Sequence, residues 1–275
     1  VEDGHPELFG GGGMTRYLRL LAIFLKSNLL VELEYRANFV AQAILGVFSA
    51  FITFISVSVI YLHTEQIGGW SYDQALVIVA LFTLIDGLIE MFLQPNINKI
   101  IQMVREGTMD FVLTKPVNSQ FIATLRHAQY SGLAGVASGI AILLFAFGRL
   151  QYTPDFTALV LFVFMLCAAL IIVYSIWLAM AALSFWFVRI DNLTVLFRTL
   201  YDTARFPIGV FPALIRFALT FILPIAFMTT FPAQAVLGLI EVPSIIGAII
   251  VAVAMFTFGT WFWQRAVLSY SSASS

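Results

Sequence analysis

Long apolar runs, separated by short polar segments, dominate the chain. Residues 38–62, 75–93, 120–147, 156–187 and 243–263 each read as nearly unbroken hydrophobic sequence. Each is long enough to cross a hydrocarbon core about 30 Å thick as a helix. A transmembrane barrel would show short alternating segments instead. Ahead of these runs, residues 14–35 have a different pattern. Arg16, Arg19 and Lys26 recur at spacings of three and seven, while Leu18, Leu21, Leu25 and Leu29 fill an apolar face. Such a basic amphipathic helix lies in the membrane interface, and the polar group Glu32, Glu34, Arg36 and Asn38 then marks the edge of the bilayer.

The polar interruptions carry most of the information. Gln42 is the one strongly polar residue within the first span, and residues 63–74 form a short loop with Gly68-Gly69 and interfacial Trp70 and Tyr72. The second span holds Asp86 and Glu90, four apart and therefore on one helical face. Carboxylates at that depth are costly and suggest function by default. Two readings stand: a polar path or proton site, or a pair near the inner end of the helix that is matched by arginine. Residues 94–120 are the largest polar segment. Pro95 and Asn96 kink or extend the second span. Gly107 then breaks the helix, Thr108 can cap a short new one with Asp110 in its first turn, and Lys115-Pro116 stops it. Asn118 or Ser119 caps the third span, where Ser131, Gly135 and Gly139 form a face that permits close helix contact.

The fourth run is too long for a perpendicular span and must tilt or project. Residues 192–238 allow two parsings. Hydropathy places a fifth span at 206–231, but Pro207, Pro212, Pro224 and Pro232 interrupt it and Arg216 falls inside it. Such breaks need shelter from protein or a cavity. The alternative runs the fifth span over 192–208, with Asp202 and the arginines facing protein, and makes residues 213–237 a re-entrant helical pair. Both parsings cross once, so the expected fold is all-α: a polytopic membrane protein with six transmembrane helices and an N-terminal interfacial helix.

Composition agrees. Of 275 residues, 61% are hydrophobic and 11% charged, far from the balance of soluble domains. The net charge of −1 points to no nucleic-acid partner. The distribution of charge sets the orientation. Arg16, Arg19, Lys26, Arg36, Lys99, Arg105, Lys115, Arg126, Arg189, Arg198, Arg205 and Arg265 fall at or near one face, leaving Arg149 on the other and Arg216 ambiguous. The basic face is cytoplasmic by the positive-inside rule, with both termini on it. The single cysteine, Cys167, reads as an apolar packing residue. Residues 1–13, rich in Gly, read as a linker or tag scar, residues 14–268 as one transmembrane domain, and residues 269–275 as a Ser-rich tail.

Catalytic constellations are missing. The sequence has no phosphate-binding loop, no H-E-x-x-H and no G-x-S-x-G, and His63 and His127 stand apart. No catalytic, cofactor-binding or metal residue is assigned. Asp86 and Glu90 keep open a gradient-driven carrier or a membrane-integral enzyme. Otherwise the energy comes from a partner gripping the short polar element between spans two and three.

Residues 105–121, REGTMDFVLTKPVNSQF, together with the Pro-broken segment FPIGVFPALIRFALTFILP, resemble the permease subunits of ABC type-2 transporters, chiefly exporters. The similarity is strongest to a subgroup whose loop reads R-x-G-T-[LM]-D followed by K/R-P-V. The resemblance implies a permease dimer, from two copies or with a related permease, in the bacterial inner membrane. It implies separate ATPase subunits that bind ATP and Mg, so that this chain carries no cofactor. It makes Gly107–Leu113 a coupling helix, with Thr108, Asp110 and Phe111 inside it and Arg105, Glu106 and Lys115 at its rim. Within the bilayer, Asp86, Glu90, Arg198, Asp202 and Arg205 are the polar candidates. The resemblance favours the re-entrant parsing and leaves the cargo open among lipids, polysaccharides, drugs and peptides.

Overall fold

A computed structural model describes residues 13–187 and 191–270. Arg189, the leader 1–12 and the tail 271–275 lie outside the described residues, as do the side chains of Asp191 and Asn192. Helix α1 (Gly13–Glu34) gives way at Tyr35 to α2 (Arg36–Tyr61), the first span. The loop after it holds a small antiparallel ribbon, β1 (Gln66–Ile67) and β2 (Trp70–Ser71), that the sequence pattern did not predict. Gly68 and Gly69 turn it with φ of 59° and 85°, values that suit a two-residue hairpin turn and that glycine adopts freely. Ser71 then starts α3 (Tyr72–Leu88) with a reciprocal cap. Its Oγ accepts from Gln74 N–H, and Gln74 Oε1 accepts from Ser71 N–H.

Helix α3 runs on through a π-helical turn, Ile89–Leu93, into α4 (Gln94–Arg105). The rod Tyr72–Arg105 is 34 residues long, roughly 51 Å at 1.5 Å per residue. It therefore crosses the bilayer and projects beyond it at the basic end. The expected span 75–93 is the middle of this rod. Ala75 through Leu81 and Ile85 are almost wholly enclosed, which makes α3 the central post.

Around α3 pack α7 (Leu133–Leu150) and α2, while α8 (Phe156–Leu183) pairs with α12 (Val242–Ser269). The α3–α7 contact is backbone to backbone. A Cβ on Gly87 would sit 2.5 Å from Val136 N, and one on Gly139 would sit 2.6 Å from Leu84 N. Hydrogen bonding and dispersion, rather than a hydrophobic drive, hold helices together in lipid, so close approach is the main source of affinity. At the opposite, hairpin end, Arg149 on α7 forms an ion pair with Asp73 and stacks over Tyr72. Asp155 caps α8 by accepting from Ala158 N–H at 2.7 Å. Cys167 lies exposed on the outside of α8 rather than packed inward.

The third span does not begin near residue 120. Helix α6 (Ser119–Leu125), capped by Asn118 as expected, ends before residues 126–129, and the chain restarts through a 3-10 turn, Tyr130–Gly132, into α7. Tertiary hydrogen bonds dictate the break. Pro95 has no N–H to give the carbonyl of Met91, one turn earlier, and that carbonyl instead accepts from Gln129 N–H at 2.8 Å. Asn96, 1% exposed, donates through Nδ2 to Phe92 O (2.6 Å) and His127 O (2.7 Å), and its Oδ1 accepts from His127 N–H at 2.9 Å. Burial, reinforced by the charges of Arg126 and Lys99, holds the His127 imidazole below its ordinary pKa. Helix α1 straps the same segment. Arg16 donates to Pro116 O (3.0 Å), Tyr17 stacks edge-on against Phe121, and Asn28 donates to Arg126 O (2.8 Å). Both carboxylate oxygens of Glu32 accept from Tyr130 N–H at 2.8 and 2.9 Å. Burial pushes the Glu32 carboxyl up, and these backbone donors pull it back.

The fifth crossing is short and irregular. Helix α9 (Asp191–Tyr201) leads into 3-10 turns at Asp202–Arg205 and Ile208–Val210. Arg198 lies beside Gln94 at the basic end, and Gly209 touches Gly68 of the ribbon at the hairpin end, so this segment traverses the bundle. A bent pair follows at 70°, Ala213–Ile222, which begins with α10 (Ala213–Phe217), and Ile225–Val236, which ends with α11 (Thr230–Val236). Thr229 Oγ1 donates to Ala204 O within the bundle, yet Ala233 and Val236 pack with Trp70, Leu76 and Leu81 near the ribbon. The chain returns to the end it left, as in the re-entrant parsing. Among the described residues the all-α polytopic fold thus has five helices long and apolar enough to cross a membrane, and the broken segment 191–210 traverses the bundle between the Gln94 and Gly68 ends.

Two outcomes test these contacts. Gly139→Val should force α3 and α7 apart at a cost of about 1–3 kcal/mol, seen as a lower thermal midpoint in detergent, whereas Gly148→Ala, with open space around it, should be neutral. Asn96→Ala should leave the His127 backbone groups unpaired, about 1–3 kcal/mol for each buried group. It should also speed amide exchange at residues 126–131.

Candidate functional site

The element at the basic end is built by backbone hydrogen bonds. Helix α4 closes with Gly107 N–H donating to Val104 O (3.2 Å) and Thr108 N–H to Met103 O (2.9 Å), with Gly107 at φ 69°. This paired closure needs a left-handed residue, which glycine supplies without strain. Thr108 therefore serves the end of α4 rather than capping the next helix; its Oγ1 also reaches Met103 O, at 3.4 Å. Helix α5 (Asp110–Leu113) is a single turn with Asp110 in it. Thr114 Oγ1 donates to Asp110 O at 2.8 Å, and Pro116 stops the chain from continuing.

The expected apolar face Phe111–Leu113 is divided. Met109 and Val112 are 0% and 1% exposed and pack with Ile97, Ile100, Ile101, Ile122 and Ala123. Leu113 is half-buried against the same core. Phe111 alone projects, 73% exposed. Around it, Arg105, Glu106 and Lys115 are exposed and Asp110 is half-buried. Lys99, Gln102 and Glu106 link along the outer face of α4, with Gln102 Nε2 donating to Glu106 Oε1 at 2.7 Å. The element is thus a rigid knob, anchored by two side chains worth about 1.5–3 kcal/mol each, with an aromatic tip and a charged rim.

The intramembrane candidates separate into a cluster and an outlier. Phe197 and Tyr201, four apart on α9, wedge against Trp177 and Phe82 with ring centroids 5.6 and 5.2 Å apart. That face turns Arg198 toward α3. Its Nη2 lies 2.8 Å from Asp86 Oδ1, out of line for a hydrogen bond, and 3.4 Å from Glu90 Oε1. Asp202 is half-buried and near enough to Asp86 for like-charge repulsion. Arg205 is separate: its guanidinium lies over the Phe206 ring, 5.3 Å from the centroid. Among the described residues, no three His, Cys, Asp or Glu side chains are grouped to hold a metal ion.

Beside the cluster, a cleft of about 280 Å³ opens between α2, the π-helical turn leading into α4, and residues 129–131, lined by Gln42, Leu45, Gly46, Ser49, Glu90, Gln94, Gln129 and Ser131. A narrow extension passes Thr53, Thr83 and Asp86. Of these, sequence reasoning noted Gln42, Glu90 and Ser131. The spacing Gln42, Gly46, Ser49, Thr53 on a helix was the signal for the rest, a polar or small stripe on one face. Asn96 was noted only as a kink. Its clue was position, directly after a proline that orphans a carbonyl.

A family model described as ABC-2 family transporter protein matches residues 47–274, which include both the basal element and the Arg198 cluster. No curated protein and no solved structure matches the chain. With most of its length matched, and with helices long and apolar enough to be integral to a membrane, the chain belongs to the ABC-2 family of transporter permeases.

Proposed function

We propose that this permease is the transmembrane subunit of an ATP-driven exporter of an amphiphile such as a lipid, glycan or drug, and that residues 105–115 couple it to a separate ATPase subunit. The observation that carries the reading is the knob at the basic end: Phe111 stands 73% exposed while Met109 and Val112 beside it are enclosed. An exposed aromatic on a rigid base, ringed by Arg105, Glu106, Asp110 and Lys115, has the character of an interface anchor. The crowding of basic residues at this end supports a cytoplasmic position for it and for both termini, and in this reading the membrane is a bacterial inner membrane.

In this reading the permease works as a pair, with a second copy or a related permease, and the path runs between them. ATP and Mg bind the partner ATPases, whose closure drives the two knobs together. The enclosed base of α5 and its attachment to α4 and α6 carry the displacement into the spans, and hydrolysis resets the pair. The broad exposed apolar face of α2, including Ile44, Phe48, Phe51 and Ile55, suits lipid or a second permease.

Two variants test the coupling surface. Phe111→Ala should reduce co-purifying ATPase from native membranes by about tenfold or more, the scale of an interface anchor. Glu106→Lys with Asp110→Lys should lower recruitment likewise, with membrane insertion and detergent monodispersity unchanged. Undiminished ATPase hydrolysis in the eluate of both variants would sink the assignment.

A further inference from the structure

We infer that the cleft between α2 and the π-helical turn binds the ammonium headgroup of a cationic amphiphile drawn from the cytoplasmic leaflet. The inference rests on the proposed transport function only for its purpose; the binding itself needs no ATPase.

The first support is charge. Glu90 lines both the cleft and its extension, Asp86 lines the extension, and no lysine or arginine lines either volume. Arg198 meets both carboxylates: its Nη2 lies 2.8 Å from Asp86 Oδ1 and donates to Glu90 Oε1 at 3.4 Å, and its Nη1 donates to Gln94 at 3.4 Å. One cation thus faces two carboxylates, which leaves a net negative charge beside the cleft, and the Glu90 side chain is 41% exposed. A carboxylate at the edge of the hydrocarbon core is held there at a cost unless a cation answers it.

Unused hydrogen-bonding capacity is the second. Among the described residues, the side chains of Gln42, Ser49 and Gln129 make no hydrogen bond, although all three face the cleft. An ammonium carries three donors and no acceptor. The carbonyl oxygens of Gln42 and Gln129, the Ser49 hydroxyl and Glu90 supply acceptors on several sides of one space. An anionic or purely apolar occupant would leave the net negative charge of Asp86, Glu90 and Arg198 uncompensated.

Depth is the third. Glu90 lies eighteen residues along the rod from Tyr72, whose ring, stacked with Arg149, marks the hairpin-end interface. At 1.5 Å per residue that is roughly 27 Å, close to the thickness of the hydrocarbon core. The mouth, with Gln42, Gln94 and Gln129, is therefore at headgroup level, and the extension past Thr53 and Thr83 leads inward. Leu45, 59% exposed on the rim, gives an alkyl chain an apolar surface outside the polar space.

The test uses the full chain reconstituted in lipid nanodiscs, labelled with a dodecylammonium that carries a photoreactive group on its alkyl chain. Adducts are mapped by peptide mass spectrometry. Labelling should be saturable, should fall on α2, the π turn or residues 129–135, and should be competed by dodecylammonium but not by dodecanol. Butylammonium separates the sources: competition at least tenfold weaker than dodecylammonium identifies an amphiphile, and equal competition overturns that part in favour of a free amine. Glu90→Gln should weaken labelling at least tenfold. Ser49→Phe, which fills the space from a position facing the cleft, should do the same if Glu90→Gln does not fold. Equal competition by dodecanol, or unchanged labelling in a folded variant, overturns the inference. ATPase retention is untouched by either result, so failure here leaves the coupling assignment standing.

Discussion

The fold depends on one asparagine and the proline before it. Pro95 cannot donate to Met91 O, and in a bilayer an orphaned carbonyl must find a partner in protein or water. It finds Gln129 N–H, and Asn96 completes the join by holding both backbone groups of His127. This clasp converts what would be one continuous third helix into α6, a break and α7. It also fixes α6 alongside α4, and so encloses Met109 and Val112 beneath the basal knob. Without it the knob would hang on a single helix. With it the knob is held on two sides, and α1 adds a third through Pro116, Phe121, Arg126 and Tyr130.

A second constraint follows from packing in lipid. Water does not drive these helices together, so they must touch closely or hydrogen-bond. Gly87, Gly132, Gly135 and Gly139 let the α3 and α7 backbones meet, and α3 becomes a post shielded along its length. Beside this dry seam, α2 touches α7 at Gly46 near Ala134 and Gly135 but stands off from the π-helical turn lower down. The polar cleft occupies that stand-off. The tight glycine seam and the open polar one are two faces of the same post.

Much of this was legible residue by residue. The Leu and Ile runs foretold the spans. Gly107, Pro116 and Asn118 foretold the ends of α4, α5 and α6, because each acts through its own backbone geometry or a local cap. Ser131, Gly135 and Gly139 foretold the α7 contact face. The break at 126–129 was not legible, because its residues tolerate a helix and the breaking bonds come from Asn96, Met91 and Glu32, all remote in sequence. Nor was the division of Phe111 from Val112: two neighbouring apolar residues read alike until α6 is seen lying over one of them. Asp86 and Glu90 were correctly placed on one face. That both meet Arg198 depended on where α9 came to rest, and that was set by Phe197 and Tyr201 packing against Trp177 and Phe82.

The knob and the cleft share one rod. From Glu90 to Arg105 the chain is continuous helix, roughly 23 Å at 1.5 Å per residue, and its far end is locked to Gly107 by the paired closure at Met103 and Val104. The clasp sits between the two. Gln129 spans both functions, since its backbone is bonded to Met91 O while its side chain lines the cleft. Packed helices slide and tilt as units rather than deform continuously. A displacement imposed at Phe111 therefore travels along α4 and through the Asn96 bonds, and the first polar groups it reaches are Gln94, Glu90 and Gln129. The proposed handle and the proposed headgroup site are thus the two ends of one lever, and the π turn beside Glu90, where Pro95 has already weakened the helical ladder, is the point at which that lever can bend.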